Sequence, residues 1–297
     1  MTERRRRSVL AGIMLAVLLA GVAVAAVLVE VRIAPVRQGR QVLEQVRQRG
    51  LAGFWPEGER TSWFLHTDRA GRPIGWSASR IAGGSEGYAG TELQRGPSHF
   101  WRESWLLDAA ARNGKYQAAG YVLRRLGRSR QYARRLVAST TIVLRRGRLL
   151  VQNEGRGPSG AAESDVPSNY IPEGMNGLVY YLAASAGKEA RFRLIHNNKA
   201  FLGNRVRFIT AKVEPAGPRG AVVRHVLPES TDEDTWQFGQ DGQLVQRDSA
   251  DGTMRLVSLE SLLRTFPEAA RYARSLSAPS DANDPDDADG DQDPDDL

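Results

Sequence analysis

Val9 to Val29 is an unbroken run of 21 uncharged residues. As a helix it would measure about 31 Å at 1.5 Å per residue, close to a hydrocarbon core of about 30 Å. Arg4, Arg5, Arg6 and Arg7 stand directly before it. Charged side chains resist translocation, which predicts a cytoplasmic N-terminus and a chain that emerges outside. Ala23-Val24-Ala25 has the small-residue pattern of a signal-peptidase site, but a cleaved signal has a shorter apolar run of about 7–15 residues. The segment therefore reads as an uncleaved anchor in a bacterial cell membrane. Gly12, Ala16 and Ala20 have the spacing of a helix-packing seam. An Ala-rich segment produces that spacing by chance, so no oligomer is read from it.

The anchor divides the chain. Residues 1–8 are a basic cytoplasmic N-terminus, 9–31 the transmembrane anchor and 32–60 a juxtamembrane helix or spacer. Residues 61–276 form an extracytoplasmic β-rich domain, and 277–297 an Asp-rich tail. In the spacer, Val42, Leu43 and Val46 recur at helical spacing and Gly50 is a stop signal. The tail carries nine Asp and no Lys or Arg. It has too little apolar surface to offset its ordering entropy, and is expected to be disordered. Removing its −9 from the net charge of +7 leaves +16 on the rest. Such an excess reads first as a solvated, Arg-rich sheet face; if it serves a partner, a membrane-tethered chain points to anionic headgroups rather than nucleic acid. No cysteine is present, which excludes disulfides, thiolate catalysis and Cys-ligated zinc.

Between residues 61 and 257, β patterns alternate with turn signals. Ser62–His66 and Ile74–Ile81 flank a turn at Asp68–Pro73 and make a hairpin. Ala82–Gly90 carries four glycines and reads as a loop. Phe100–Asp108, Tyr132–Leu144 and Leu149–Asn153 read as strands, and Gly155–Ser168 as a loop. Gly174–Ala186 places Met175, Leu178, Val179 and Leu182 on one helical face. A meander follows: Ala190–His196, Arg205–Val213, Ala221–Leu227, Thr235–Gly239, Gln243–Asp248 and Met254–Ser258. Asp241-Gly242 and Asp251-Gly252 serve as hairpin turns. Leu259–Arg264 and Glu268–Leu276 read as short helices. The fold class is α+β: a curved, mainly antiparallel, half-barrel-like sheet with one or two packed helices.

Chemical motifs are sparse. Gly83-Gly84-Ser85-Glu86-Gly87 matches the G-x-S-x-G of serine hydrolases, with His196 or His225 as the base. That chemistry needs a strand, a sharp turn and a helix, and Gly87-Tyr88-Ala89-Gly90 is poor helix. His66, His99, His196 and His225 lack metal-ligand spacing. Glu229, Asp232, Glu233 and Asp234 read as a solvated acidic turn. Asp284–Asp296 lacks the first ligand and the closing Glu of an EF-hand loop. No metal or cofactor is expected.

The alternation sets Phe192 and Leu194 opposite Arg191 and Arg193, and Val206 and Phe208 opposite Arg205 and Arg207. Trp236 and Phe238 share a face further on. These six apolar residues either line a ligand cavity or pack against the Gly174–Ala186 helix. A cavity of about 300 Å³ or more would distinguish the two. The four arginines, on consecutive strands, would form one stripe facing anionic lipid or the acidic tail.

The stretch Pro167–Arg247 resembles the late half of the periplasmic lipoprotein-carrier (Lol-type) half-barrel superfamily. The matching features are PSNYIPEGM at Pro167–Met175, a helix to Ala186, the meander, and DTWQFGQDGQLVQRD at Asp234–Asp248. The hairpin Trp63–Arg80, with GRPIGWSASR, is similar to the opening strands of such proteins. The resemblance implies an acyl chain or other apolar ligand held inside a curved sheet, and assigns no individual residue. A transmembrane anchor, an Arg-rich outer face and an acidic tail depart from a freely shuttling carrier. The leading reading is thus a non-enzymatic, single-pass, membrane-anchored extracytoplasmic module that binds a lipid-like ligand or a partner protein. A ligand-free scaffolding subunit of an envelope complex is the alternative, and a hydrolase using Ser85 a remote one.

Overall fold

The computed structural model describes residues 3–125, 132–155, 160–195, 201–202, 205–227 and 230–277. His196, Glu229 and the Asp-rich segment from 278 onward lie outside the described residues.

Helix α1 (Glu3–Leu28) runs through a π-helical turn at Val29–Ile33 into α2 (Ala34–Arg49). The stretch from Ile13 is long and apolar enough to cross a membrane, and none of the described residues covers its apolar window. Met14, Val17 and Leu18 are all more than 60% exposed, a surface that water alone would not favour. Pro35 stands near the start of α2. It lacks an N–H and crowds the carbonyl four residues back, a misfit that the wider π turn absorbs. Beyond it, α2 turns Val42, Leu43 and Val46 inward and buries them fully.

The strands are β1 (Gly58–Thr67), β2 (Pro73–Gly84), β3 (Gly87–Arg95), β4 (His99–Asp108), β5 (Gly114–Arg125), β6 (Tyr132–Arg145), β7 (Arg148–Gly155) and β8 (Gly160–Asp165). Helix α3 (Asn176–Ser185) then leads to β9 (Ala190–Ile195) and a small arm of β10 (Phe201–Leu202) and β11 (Arg205–Val206). After the arm come β12 (Phe208–Pro215), β13 (Gly220–Val226), β14 (Thr231–Phe238), β15 (Leu244–Ser249), β16 (Gly252–Val257), α4 (Leu259–Thr265) and α5 (Ala269–Ser277). All strands outside the arm join one 14-stranded antiparallel sheet, ordered β8 down to β1, then β16 down to β12, then β9. Two meanders thus meet where β16 pairs with β1. The outer edge of β9 is covered: Arg193 N donates to Asn169 O and Ile171 N to Arg193 O, at 2.8 and 2.9 Å. That pairing removes an open, aggregation-prone edge.

The sheet curls. Ile142, Leu144, Leu149 and Val151 of β6 and β7 share a core with Phe192, Ile209, Val223 and Trp236 from the far end of the strand order. Residues so distant in one sheet can meet on one face only if that face is concave. Helix α3, part of α2 and Trp55 complete this inner core. On the opposite face, Trp63, Trp76, Leu93 and Phe100 pack against Leu262, Tyr272 and Leu276 of α4 and α5.

Several expectations change. Ala82–Gly90 is not a loop: β2 and β3 pair up to Gly84↔Gly87, leaving only Ser85 and Glu86 at the tip. Glycine masks the strand pattern there because the inner face is crowded. A Cβ on Gly90 would meet the Trp105 ring at 2.2 Å, and one on Gly174 the same ring at 2.5 Å. The loop expected at Gly155–Ser168 contains β8, and β5 lies in a stretch where no element is expected. Arg205–Val213 is split between β11 and β12. The expected acidic turn is the first half of β14, where Glu233 and Asp234 find cationic partners. Leu51 and Trp55, within the expected spacer, are core residues.

Candidate functional site

Cross-strand register turns the inner face into layers. The first is apolar and runs Ile81–Gly90–Trp105–Tyr116–Ile142–Val151 from β2 to β7. The next is polar: Ser62 and Ser79, then Glu92 and Glu103, then Ala118, Thr140 and Asn153. A third, toward the other end, carries Phe64, Ser77, Gln94, Trp101 and Gly120.

The apolar end is filled. Beside Tyr170 and Glu173 it leaves a void of about 10 Å³, at the lower limit for a single water. Phe192, Leu194, Trp236 and Phe238 belong to this packed end, with Val206 and Phe208 half-buried against it. Register separates the six. Leu194 faces Ile209 and Phe192 faces Ala211, whereas Phe208 lies opposite Ile195 and contacts the Tyr170 ring edge-on.

The polar layer differs. Glu92 and Glu103 are direct cross-strand neighbours, an arrangement of like charges that costs stability when both ionise. Glu92 is exposed although strands of both walls surround it, so it lines an open hollow in the bowl. Burial, and then the Glu103 charge, push its carboxyl up to about 7 against the pull of Arg247. Burial also raises Glu103, which a hydrogen bond from Tyr116 partly offsets. Glu173, from the loop before α3, is pushed up to about 8 by burial and by Glu103. It accepts a hydrogen bond from Tyr170 at 3.3 Å.

The facing wall is hydrogen-bonded in series. Tyr180 of α3 contacts His225 Nε2 at 3.2 Å, and His225 Nδ1 lies 3.9 Å from Asp234. Arg247 donates to Asp234 at 2.7 Å and lies 5.3 Å over the Trp236 ring. Trp236 Nε1 is buried and has no acceptor among the described residues. Near the rim His66 pairs with Ser77 at 2.9 Å, and burial lowers its pKa to about 4. Neutral, His66 adds no charge to the hollow at pH 7.

Ser85 stands at an exposed hairpin tip with a strand on each side. The strand–turn–helix setting of a hydrolase nucleophile is therefore absent. Among the described residues no group of three or more His, Asp or Glu stands close enough to hold a metal ion. The arginines divide as well. Arg191 and Arg193 lie on the outer face of β9, opposite Lys212 and Thr210. Arg205 sits in the β10–β11 arm, and Arg207 at the break before β12. Sequence reasoning missed Glu92, Glu103, Glu173 and Arg247, which lie up to 155 residues apart. The one signal available was a charged residue at an inward position of an otherwise alternating strand.

No protein-family model matches the chain, and no curated protein matches it. Among solved structures it is similar to a beta-barrel-like protein of domain of unknown function DUF1849 from Brucella abortus, at 11% identity and a TM-score of 0.44. That likeness covers 67% of this chain and 95% of the other. The lipoprotein-carrier superfamily is not named by these comparisons.

Proposed function

We propose that the protein is a single-pass, membrane-anchored extracytoplasmic binding module whose bowl takes up a small, lipid-like amphipathic ligand. The ligand's polar head carries hydrogen-bond donors and sits against Glu92 and Glu103. The supporting observation is the layering of the inner face: a dry, filled apolar end and, above it, an exposed Glu92 beside a half-buried Glu103. A carboxylate pair that resists double ionisation accepts hydrogen bonds or a positive charge readily. The test is native mass spectrometry of the full chain released from nanodiscs. A retained small molecule is expected in the wild type, with its loss in Ser79→Trp, which fills the hollow beside Glu92. An empty wild type, or equal retention in both, would sink the reading.

A scaffolding role is the second reading. It is favoured by the outer face, where Leu106, Leu136 and Leu150 are 58%, 54% and 48% exposed. Leu106 and Leu150 lie in one cross-strand row with Lys115 and Val143 between them. Such a stripe suits a protein partner in the envelope.

A further inference from the structure

Outside the bowl, a groove of about 240 Å³ lies between the start of α2 and the outer face of β9, β12 and β13. Val36 forms one side; Arg191, Arg193, Lys212, Thr210 and Asn169 form the other. Its position follows from one contact. A Cβ on Gly39 would stand 2.3 Å from the Arg191 carbonyl oxygen, so α2 and β9 touch backbone to backbone. That contact fixes the groove to the helix continuing from the apolar segment. Val36 is seven residues past Val29, about 10 Å along a helix. The polar headgroup region extends roughly 5–8 Å beyond each side of the hydrocarbon core. If α1 crosses a membrane, as proposed above, the groove opens just outside the headgroup layer, about 2–5 Å beyond it along an untilted helix, within reach of a phosphate at its outer edge.

Its charge is unbalanced. Across the outer face, Arg191, Lys212 and Arg224 are consecutive cross-strand neighbours. Such like-charged rows are unfavourable unless neutralised. Arg224 is neutralised by Glu214 and Glu233, the latter at 2.6 Å. Arg191 is held by Glu189 at 2.7 Å. Lys212, half-buried between them, has no carboxylate partner among the described residues, and neither does Arg193. Arg193 donates to Thr210 at 2.9 Å, which holds its guanidinium over the groove. The volume is small beside the 300–1,000 Å³ of pockets that take whole organic ligands, and suits a headgroup rather than a lipid.

We infer that this groove binds the phosphodiester headgroup of an anionic lipid in the membrane that α1 enters. Lys212 and Arg193 supply the charge, and Thr210 and Asn169 flank it. The inference rests on the membrane-anchored reading. To test it, the full chain in mild detergent is titrated with phosphatidylglycerol or phosphatidylcholine and bound lipid is read by native mass spectrometry. Wild type is expected to prefer phosphatidylglycerol. Arg193→Gln and Lys212→Gln should each weaken that binding about fivefold. Arg264→Gln with Arg274→Gln, on the exposed side of α4 and α5, should leave it unchanged. Equal binding of the two lipids overturns the inference, and so does an equal loss in the α4–α5 control. A preference that emerges only after residues 278–297 are removed also overturns it, because the chain's own acidic segment would then be the occupant. A chain that stays soluble without detergent, and does not float with phosphatidylcholine vesicles, defeats the anchored reading instead. One that floats but shows no preference defeats the groove alone.

Discussion

Replacing Glu173 with Gln should stabilise the protein at neutral pH and leave it unchanged in acid. Glu173 is 9% exposed, and its pKa rises from 4.5 to about 8. Below pH 4.5 the carboxyl is protonated in folded and unfolded chains alike, and nothing is lost. As pH rises past 4.5 the unfolded chain ionises while the folded one holds its proton. Stability therefore falls until about pH 8, where the folded carboxyl also ionises. At about 1.4 kcal/mol per pH unit, the loss is about 3 kcal/mol at pH 7 and about 5 kcal/mol above pH 8. Gln keeps an acceptor oxygen for the Tyr170 hydroxyl and nearly the same shape, so it removes the titration without removing the packing. Thermal unfolding of the full chain in mild detergent, followed by tryptophan fluorescence, measures this. At pH 7 the variant should melt about 6–12 °C above wild type, using 2–4 °C per kcal/mol for a domain of this size. At pH 5 the two should nearly coincide. Parallel melting curves across pH 5–8, or a variant destabilised throughout, would refute the assignment of Glu173 as a buried, neutral carboxylic acid.

Further substitutions probe the scaffold. Asp234→Ala removes the buried partner of a partly exposed Arg247 guanidinium and should cost about 1.5–2 kcal/mol, read as a lower denaturation midpoint; an unchanged midpoint would mean that solvent replaces Asp234. Gly39→Ala forces α2 away from β9 and should destabilise by about 1–3 kcal/mol, with faster amide exchange confined to α2 and β9. Trp76→Ala removes a fully buried ring from the outer core. It should cost about 4 kcal/mol and release α4 and α5 to proteolysis before the sheet unfolds.

Much of the scaffold was legible where local chemistry decided the structure. The long apolar N-terminal helix, the α3 face of Leu178 and Val179, and hairpins with polar turns follow from period and turn residues alone. The strands that were missed, β3, β5 and β8, interrupt their apolar inner positions with glycine, alanine or polar residues. In β2 and β3, Gly83, Gly90 and Glu92 occupy inward sites because a tryptophan ring, a neighbouring carbonyl and an open hollow lie opposite them, and the local sequence does not show these. The first half of β14 reads as a polar turn, yet it is held by Arg224 and Arg247 from neighbouring strands. The acidic site was illegible for the same reason. Glu92 and Glu103 become neighbours through register, and Glu173 reaches them only after the sheet has curled around α3. Arg191 and Arg193 did read as an outward cationic pair, but their partner is Lys212, because β12 begins at Phe208 and leaves Arg205 in the arm.

The division of the bowl into a dry end and an open acidic layer can be measured directly, because the chain has no cysteine. Glu92→Cys and Phe192→Cys each introduce a single thiol, and Asp251→Cys provides an exposed reference. In the folded full chain, Cys at 92 should react with a small water-soluble maleimide at a rate within about tenfold of the reference. Cys at 192, fully buried in the inner core, should react only on unfolding. Equal, slow labelling at 92 and 192 would show the hollow to be closed and would contradict the account.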